Sequence, residues 1–446
     1  MLPITRVPET IAQGMAKFRS IFCREEGFEH VSRYVTGLVV SPNKTLQGIY
    51  DLQVWDGKTP SRRAMHAGVF EAGWDDDALM QRHRGGIAGD YRRHSRAVIA
   101  LDWTLAHHER GPKIYGVRRA YDYVAHRTTL FQTVVTAVVA TRTLCDGLEV
   151  SVQNPLDLTA AEAYLQATAQ TSYAQMDAAR QRLLAVLHHQ LHKRVYRKRT
   201  EIVVEMVRQL ETEGYFPQAN YAFDNGVLTL ALTRLIEGSG KHWVSEIECS
   251  RHINWHGQWR RGDAVAAELR AQHPESFRPL TVTCRNGAQK RYWVFTKVVR
   301  LKKYGEKRLV VVHEQEDLQD NPRFFVTDAK HWECTRILET WSYRWTSEVF
   351  HEFDKQVCGM EAAQVRKEEA VTRHFRLSCV AQSLIQRAPA VASKSERYAF
   401  AEGHITFGQK CCTISREVWR ATLTLCQRYF AEGKSCNEVL EWLMPA

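Results

Sequence analysis

The sequence predicts an α/β protein, with a mixed-sheet core, an inserted mostly-β segment and helical flanks at both ends. Three observations predict it. Short apolar runs rich in Val, Ile and Thr, such as RAVIALD and TTLFQTVVTAVVATRT, alternate with longer stretches of helical periodicity. Asn286-Gly287, set between two further runs of this kind, is a strong hairpin-turn signal. The first 95 residues, and those beyond 362, read as helical instead.

Taken in order, residues 1–95 are punctuated at SPNK, DGKTP and RGGIAG, and Asp75, Asp76 and Asp77 in WDDDAL start a helix whose N-terminal dipole favours acids. Arg62, Arg63, Arg82, Arg84, Arg92 and Arg93 make the end of this segment basic. RAVIALD then reads as a buried strand ending in Asp102, HHERGPK as a loop, and KIYGVRRAYDYVAH and TTLFQTVVTAVVATRT as two strands of an antiparallel meander. From 154 to 214 the pattern is helical, with a capping box at Thr159 to Glu162 and a stop at Gly214. NYAFD is a strand ending in Asp224, VLTLALTRLIEG a helix and HWVSEIEC a strand. LTVTC, RYWVFTKVVRLK and KRLVVVHEQE form the insertion, RFFVTDA returns to the core, and a helix follows. These shifts divide the chain into a helical N-terminal segment (1–95), a first core part (96–250), an inserted β subdomain (251–320), a last core strand and helix (321–362) and a helical C-terminal domain (363–446).

Composition narrows the class. The chain of 446 residues can build a substantial core, and 61 Lys plus Arg against 50 Asp plus Glu gives a formal charge of +11. Such an excess favours polyanionic partners, because each neutralised phosphate releases counterions. The 11 cysteines contain no C-x-x-C pair, which argues against zinc knuckles and a disulfide framework. No apolar run reaches the length of a membrane span and no signal pattern opens the chain, so a soluble intracellular protein is expected.

The stretch RWTSEVFHEFDKQ, residues 344–356, carries the sharpest pattern. On a helix, Trp345, Val349, Phe353 and Val357 make an apolar stripe, expected to be buried. Arg344, Glu348 and Lys355 line up beside it, joined by Trp341 one turn upstream. Asp102, Asp224 and Glu348 then follow in the order strand-Asp, two antiparallel strands, helix, strand-Asp, helix-Glu. That order is the one found in a ribonuclease-H-like core, where the Asp-bearing strands are neighbours and the helix brings its Glu across their ends. Three convergent carboxylates are what a pair of Mg²⁺ ions needs for in-line phosphoryl displacement.

These residues resemble the DDE transposases of bacterial insertion sequences, in the group with a β insertion before the catalytic Glu. Arg344, Glu348 and Lys355 match the spacing of that group's Tyr-x2-Arg-x3-Glu-x6-Lys signature, while its Tyr falls on Trp341. Asp102 in IALDWT and Asp224 in YAFDNG resemble the two Asp strands, and the resemblance covers roughly residues 96 to 360. It implies a DNA transposase in which Asp102, Asp224 and Glu348 bind two Mg²⁺ ions, with Mn²⁺ as a substitute, and Arg344, Lys355 and Trp341 hold the DNA. It implies further that the N-terminal segment binds DNA and that an aromatic of the insertion, with Trp293 the best candidate and Trp255 and Trp259 as alternatives, holds a flipped base. Double-stranded DNA at element ends and target would be the partner, a homodimer the synaptic unit, and the bacterial cytoplasm, with its nucleoid, the location. The basic tract with Lys193, Arg194, Arg197, Lys198 and Arg199 reads as a phosphate-contacting helix or, equally, as a solvated one. Alternatives are a metal-dependent endonuclease without strand transfer and a DNA-binding relative without chemistry. Taken alone, Asp102 would read as a turn former and Asp224 as a helix cap. His188 and His192, four apart, lack any acidic or thiol companion, and His107 and His108 read as loop residues.

Overall fold

The central strand, β1 (Val98–His108), shows how period-two patterning positions a site. Ile99 and Leu101 enter a core on one face of the sheet, whereas Val98 and Ala100, and hence Asp102, turn to the other. The computed structural model describes residues 2–55, 59–94, 96–123, 125–154, 177–183, 197–390 and 406–444. In those residues β1 pairs antiparallel with β3 (Arg127–Ala140) along its whole length and parallel with β5 (Asn220–Phe223) only from Val98 to Leu101. Asp102 is therefore the first residue beyond the end of the parallel pairing.

The remaining strands are β2 (Arg118–Asp122), β4 (Cys145–Gln153), β6 (Trp243–Ile247), β7 (His252–Trp255), β8 (Gln258–Arg261), β9 (Arg278–Thr283), β10 (Gln289–Leu301), β11 (Gly305–His313) and β12 (Arg323–Thr327). They form one sheet in the order β2-β3-β1-β5-β6-β12-β11-β10-β7-β8, with β4 on β3 and β9 on β10. The run β4-β3-β1-β5-β6 is the mixed, ribonuclease-H-like core, with β5 and β6 parallel to β1. The inserted strands extend this sheet through β12 instead of building a separate one. At the β9–β10 turn Gly287 takes a φ of +85°, and Cys284 N–H donates to the Ala288 carbonyl at 2.8 Å.

Helices cover both faces. Before the sheet come α1 (Glu9–Ala16), α2 (Glu25–Val40), α3 (Leu46–Tyr50), α4 (Arg62–His66) and α5 (Asp76–Arg92). Between or within the strands come α6 (Arg199–Glu213), α7 (Leu230–Gly238) and α8 (Gly262–Gln272). The chain finishes with α9 (Cys334–Ser342), α10 (Trp345–Phe353), α11 (Glu368–Arg387), α12 (Phe407–Ala431) and α13 (Cys436–Leu443). Asp75 caps α5 by accepting from Asp77 N and Ala78 N, and Gly214 ends α6 at a φ of +65°. Residues from α6, α7, α8 and the end of α5 share one core with Leu101 and Phe223. On the other face α9 packs against β10–β12, and α10 lies over β1 and β3.

Several readings change. β1 runs on through His107 and His108, which are strand rather than loop residues. KIYGVRRAYDYVAH yields only the short edge strand β2, and the third core strand is β4, over residues to which the sequence pattern assigned no element. Its buried polar residues obscure it: Asp146 is satisfied by Arg387 (2.8 Å) and Tyr91 (2.6 Å), and Glu149 by Arg84 (2.7 Å), all from distant helices. Helix α8 had not been expected within the insertion. The capping box at 159–162, His188 and His192 lie outside the described residues.

Candidate active site

β1, β5 and α10 meet at an open cleft of about 530 Å³ lined by Asp102, Trp103, Thr104, Asp224, Arg344, Glu348, His351, Glu352 and Lys355. Past Leu101 the edge of β1 has no strand partner, and side chains cover it. Lys355 Nζ donates to the Leu105 carbonyl at 2.6 Å, and Glu361 Oε1 accepts from His107 N–H at 3.0 Å. Asp224 follows β5 directly and accepts from Gly226 N–H at 2.9 Å, which fixes the turn into the next loop.

Asp102 is 7% exposed. Its Oδ1 accepts from Trp103 N–H (2.8 Å), and its Oδ2 accepts from both Arg344 Nη1 (2.9 Å) and Ser347 Oγ (2.7 Å). Burial pushes its carboxyl up to about 6, with Asp224 adding to the rise and Arg344, Ser347 and the Trp103 amide opposing it. The other end of the Arg344 guanidinium bonds Glu348, so one cation links the two carboxylates.

α9 and α10 are two helices, broken at Tyr343 and Arg344, where bonds such as Arg344 N to Trp341 O (2.9 Å) tighten the turn. The buried face of α10 is not the apolar stripe. Trp345 is 61% exposed, and Thr346, Ser347, Phe350 and His351 are buried instead. The reason is polar pairing with the sheet. Ser347 bonds Asp102, and His351 Nε2 shares a hydrogen bond of 2.7 Å with Thr136 Oγ1, opposite Asp102 on β3. Burial pushes the His351 imidazole down to about 3, so it is neutral at ordinary pH. Ser347 and His351 escaped the sequence reading, although spacings of three from Arg344 and from Glu348 put them on the same helical flank.

The other expected residues separate. Trp341 is buried against Phe325, with ring centroids 5.2 Å apart, and underlies Arg344. Both line an adjoining pocket of about 630 Å³ with Tyr292, Trp345, Arg285 and Lys290. Trp293 does not reach it. One residue along β10 from Tyr292, it packs with the core on the opposite face of the sheet. Arg199 lies 3.9 Å over the Trp103 ring at the rim of the cleft, whereas Arg197 pairs with Glu205 (2.6 Å) and lines a different cavity. Lys198 caps α6, with its N–H donating to Glu201 at 2.9 Å. Lys193 and Arg194 lie outside the described residues.

Carboxylate oxygens from Asp102, Asp224 and Glu348 are hard donors suited to a divalent ion of the Mg²⁺ type. Among the described residues no three acidic, His or Cys side chains already stand close enough to cage an ion, and Arg344 stands between two of the carboxylates. The donor set thus fits the ion in chemistry, and the guanidinium holds it open.

A comparison with curated proteins produced no match. The family model described as DDE superfamily endonuclease matches residues 17–254, more than half of the chain, and takes in Asp102 and Asp224 while stopping short of Glu348. With two of the three cleft acids inside the matched span, on the strands of a ribonuclease-H-like sheet, the chain belongs to the DDE superfamily endonucleases.

Proposed function

We propose that the protein is a DNA transposase that cuts at the ends of a mobile element and joins them to target DNA. The observation that supports this reading is the single cleft shared by Asp102, Asp224 and Glu348, with Arg344 and Lys355 on its wall. Two divalent ions, Mg²⁺ or Mn²⁺, would supply activation of the attacking oxygen and charge stabilisation at the leaving one. Asp102, Asp224 and Glu348 would hold them. Arg344 turns from the carboxylates to the scissile phosphate, where a guanidinium makes paired, charge-assisted hydrogen bonds. Lys355 leaves the Leu105 carbonyl for a phosphate in the same way, and Arg199 on Trp103 meets the backbone at the rim. An unstacked base next to the cut would rest on Tyr292, Trp341 and Trp345 in the adjoining pocket, instead of on Trp293. Two copies, one per element end, form the working unit.

The test is a labelled duplex carrying the element's end, incubated with wild type or Glu348→Gln, with and without Mg²⁺. Metal-dependent nicking at the end, lost in the variant with DNA binding retained, is expected, followed by joining to a target duplex. Cleavage without joining moves the protein to the plain endonucleases. Cutting that survives Glu348→Gln ends the assignment.

A further inference from the structure

A second groove, of about 380 Å³, is walled by Leu230, Arg234 and Glu237 of α7, Trp259 of β8 and the β10–β11 turn. Leu230 begins α7 six residues after Asp224, and Tyr304 OH of the turn donates to the Leu228 carbonyl at 3.4 Å, so the groove begins at the loop that follows Asp224. Trp259 is 45% exposed, and its ring lines the groove. Around it, Arg234, Arg300 and Lys303 are exposed and make no ion pair or side-chain hydrogen bond among the described residues. The acids nearby are already engaged. Glu237 accepts from Trp243 Nε1 (2.9 Å) and Lys307 (3.1 Å), and Glu306, opposite Arg300 on β11, pairs with Lys330 (3.0 Å). Lys303 is held at a φ of +74°, which fixes the turn that presents it.

Three exposed cations around one exposed indole match a single strand, in which phosphates follow the cations and an unpaired base stacks on the ring. A duplex keeps its bases stacked and would leave the indole unused. Resting on the transposase reading, we infer that this groove binds an unpaired strand of DNA leaving the catalytic cleft on its Asp224 side.

Fluorescence anisotropy with three probes tests it: a blunt duplex, the same duplex with an unpaired DNA arm, and one with that arm made of RNA. Two variants are compared with wild type. Trp259→Ala removes the ring, and Arg300→Gln with Lys303→Gly removes two charges while placing glycine where the backbone is left-handed. Wild type should bind the DNA-armed probe more tightly than the blunt one. Each variant should weaken armed binding by at least about fivefold and leave blunt binding within about twofold. The charge variant should also lower the salt slope for the arm by about 1.4. The inference is overturned if wild type shows no preference, if the variants keep it, if both probes weaken equally, or if the RNA arm binds more tightly. Failure of the transposase reading would appear separately, as no metal-dependent cut of the blunt duplex by wild type.

Discussion

Ser347 carries a consequence out of proportion to its size. Its hydroxyl donates to Asp102 Oδ2 at 2.7 Å from a fully buried position, and with Arg344 it keeps that carboxylate ionisable against burial. With Asp102 as a metal ligand, as proposed, Ser347→Ala should weaken divalent-metal binding by about 10- to 100-fold, as loss of a ligand's supporting hydrogen bond typically does. The direction with pH follows from the same bond. The Asp102 carboxyl, already pushed up to about 6, rises further without its donor, so metal binding should fail at a higher pH than in wild type. Calorimetric titration with Mn²⁺ at pH 6.5 and 8 checks it, and equal affinities for the two proteins at both values would refute it. Trp345 makes the contrasting case: the spacing of its stripe marked it as core, yet it is an exposed wall of the pocket beside the cleft. Hydrophobicity alone cannot see that a serine, a threonine and a histidine are buried by hydrogen bonds instead.

For an element, what matters is how α10 is held. Phe350 is buried in the helical core, near enough to Gly147 on β4 that a Cβ there would sit 2.7 Å from the ring. Phe350→Ala should cost about 3–5 kcal/mol, read from denaturant unfolding. Gly147→Ala should destabilise as well, because the ring and Cys379 leave no room. α10 continues into a π-helical turn, Asp354–Cys358, in which Asp354 is buried and accepts from Ser378 Oγ at 2.9 Å. Burial pushes its carboxyl from 3.8 up to about 7. A carboxyl raised in this way contributes its full stability below the unfolded value, near 4, and loses it as pH climbs through about 7. Asp354→Asn stays neutral throughout, so its stability relative to wild type should grow over that window by at most about 1.4 kcal/mol per pH unit. Melting curves at pH 5 and pH 8 should show the variant gaining between the two, and a constant difference would count against a neutral buried carboxyl.

Across the whole molecule, residues far apart in sequence make one body. The N- and C-terminal helical flanks share a core, with Tyr34 on α2 bonded to His374 on α11 at 2.7 Å and Thr10 bonded through its N–H and hydroxyl to Glu417 on α12. On the sheet side, Arg84 of α5 is fully buried between Glu149 of β4 (2.7 Å) and Glu213 of α6 (2.6 Å). Removing it leaves Glu213 without its cation and Glu149 with the longer Arg376 contact (3.3 Å), so Arg84→Met should cost about 3–5 kcal/mol and lower the melting temperature even though methionine fills much of the space. Glu213→Gln, which leaves the Arg84–Glu149 pair, should cost less. No described helix is long and apolar enough to cross a membrane.

Local pattern was enough for most of the core. The apolar, β-branched runs RAVIALD and TTLFQTVVTAVVATRT, the turn at Asn286-Gly287, the stop at Gly214 and the cap at Asp75 are all short-range effects, and each appears where its residues demand it. Spacing also put Arg344 and Glu348 on one side of a helix, and the two Asp-bearing strands beside each other. Only the tertiary structure decided the rest. β4 is a core strand because α5 and α11 supply partners for Asp146 and Glu149. Trp293 faces away from the cleft because a strand reverses its side chains at every residue and only the sheet fixes which parity turns inward. Arg344 lies between Asp102 and Glu348 because helix and strand meet there, and a pairing across 242 positions of sequence leaves no periodic trace for a reader of the chain alone.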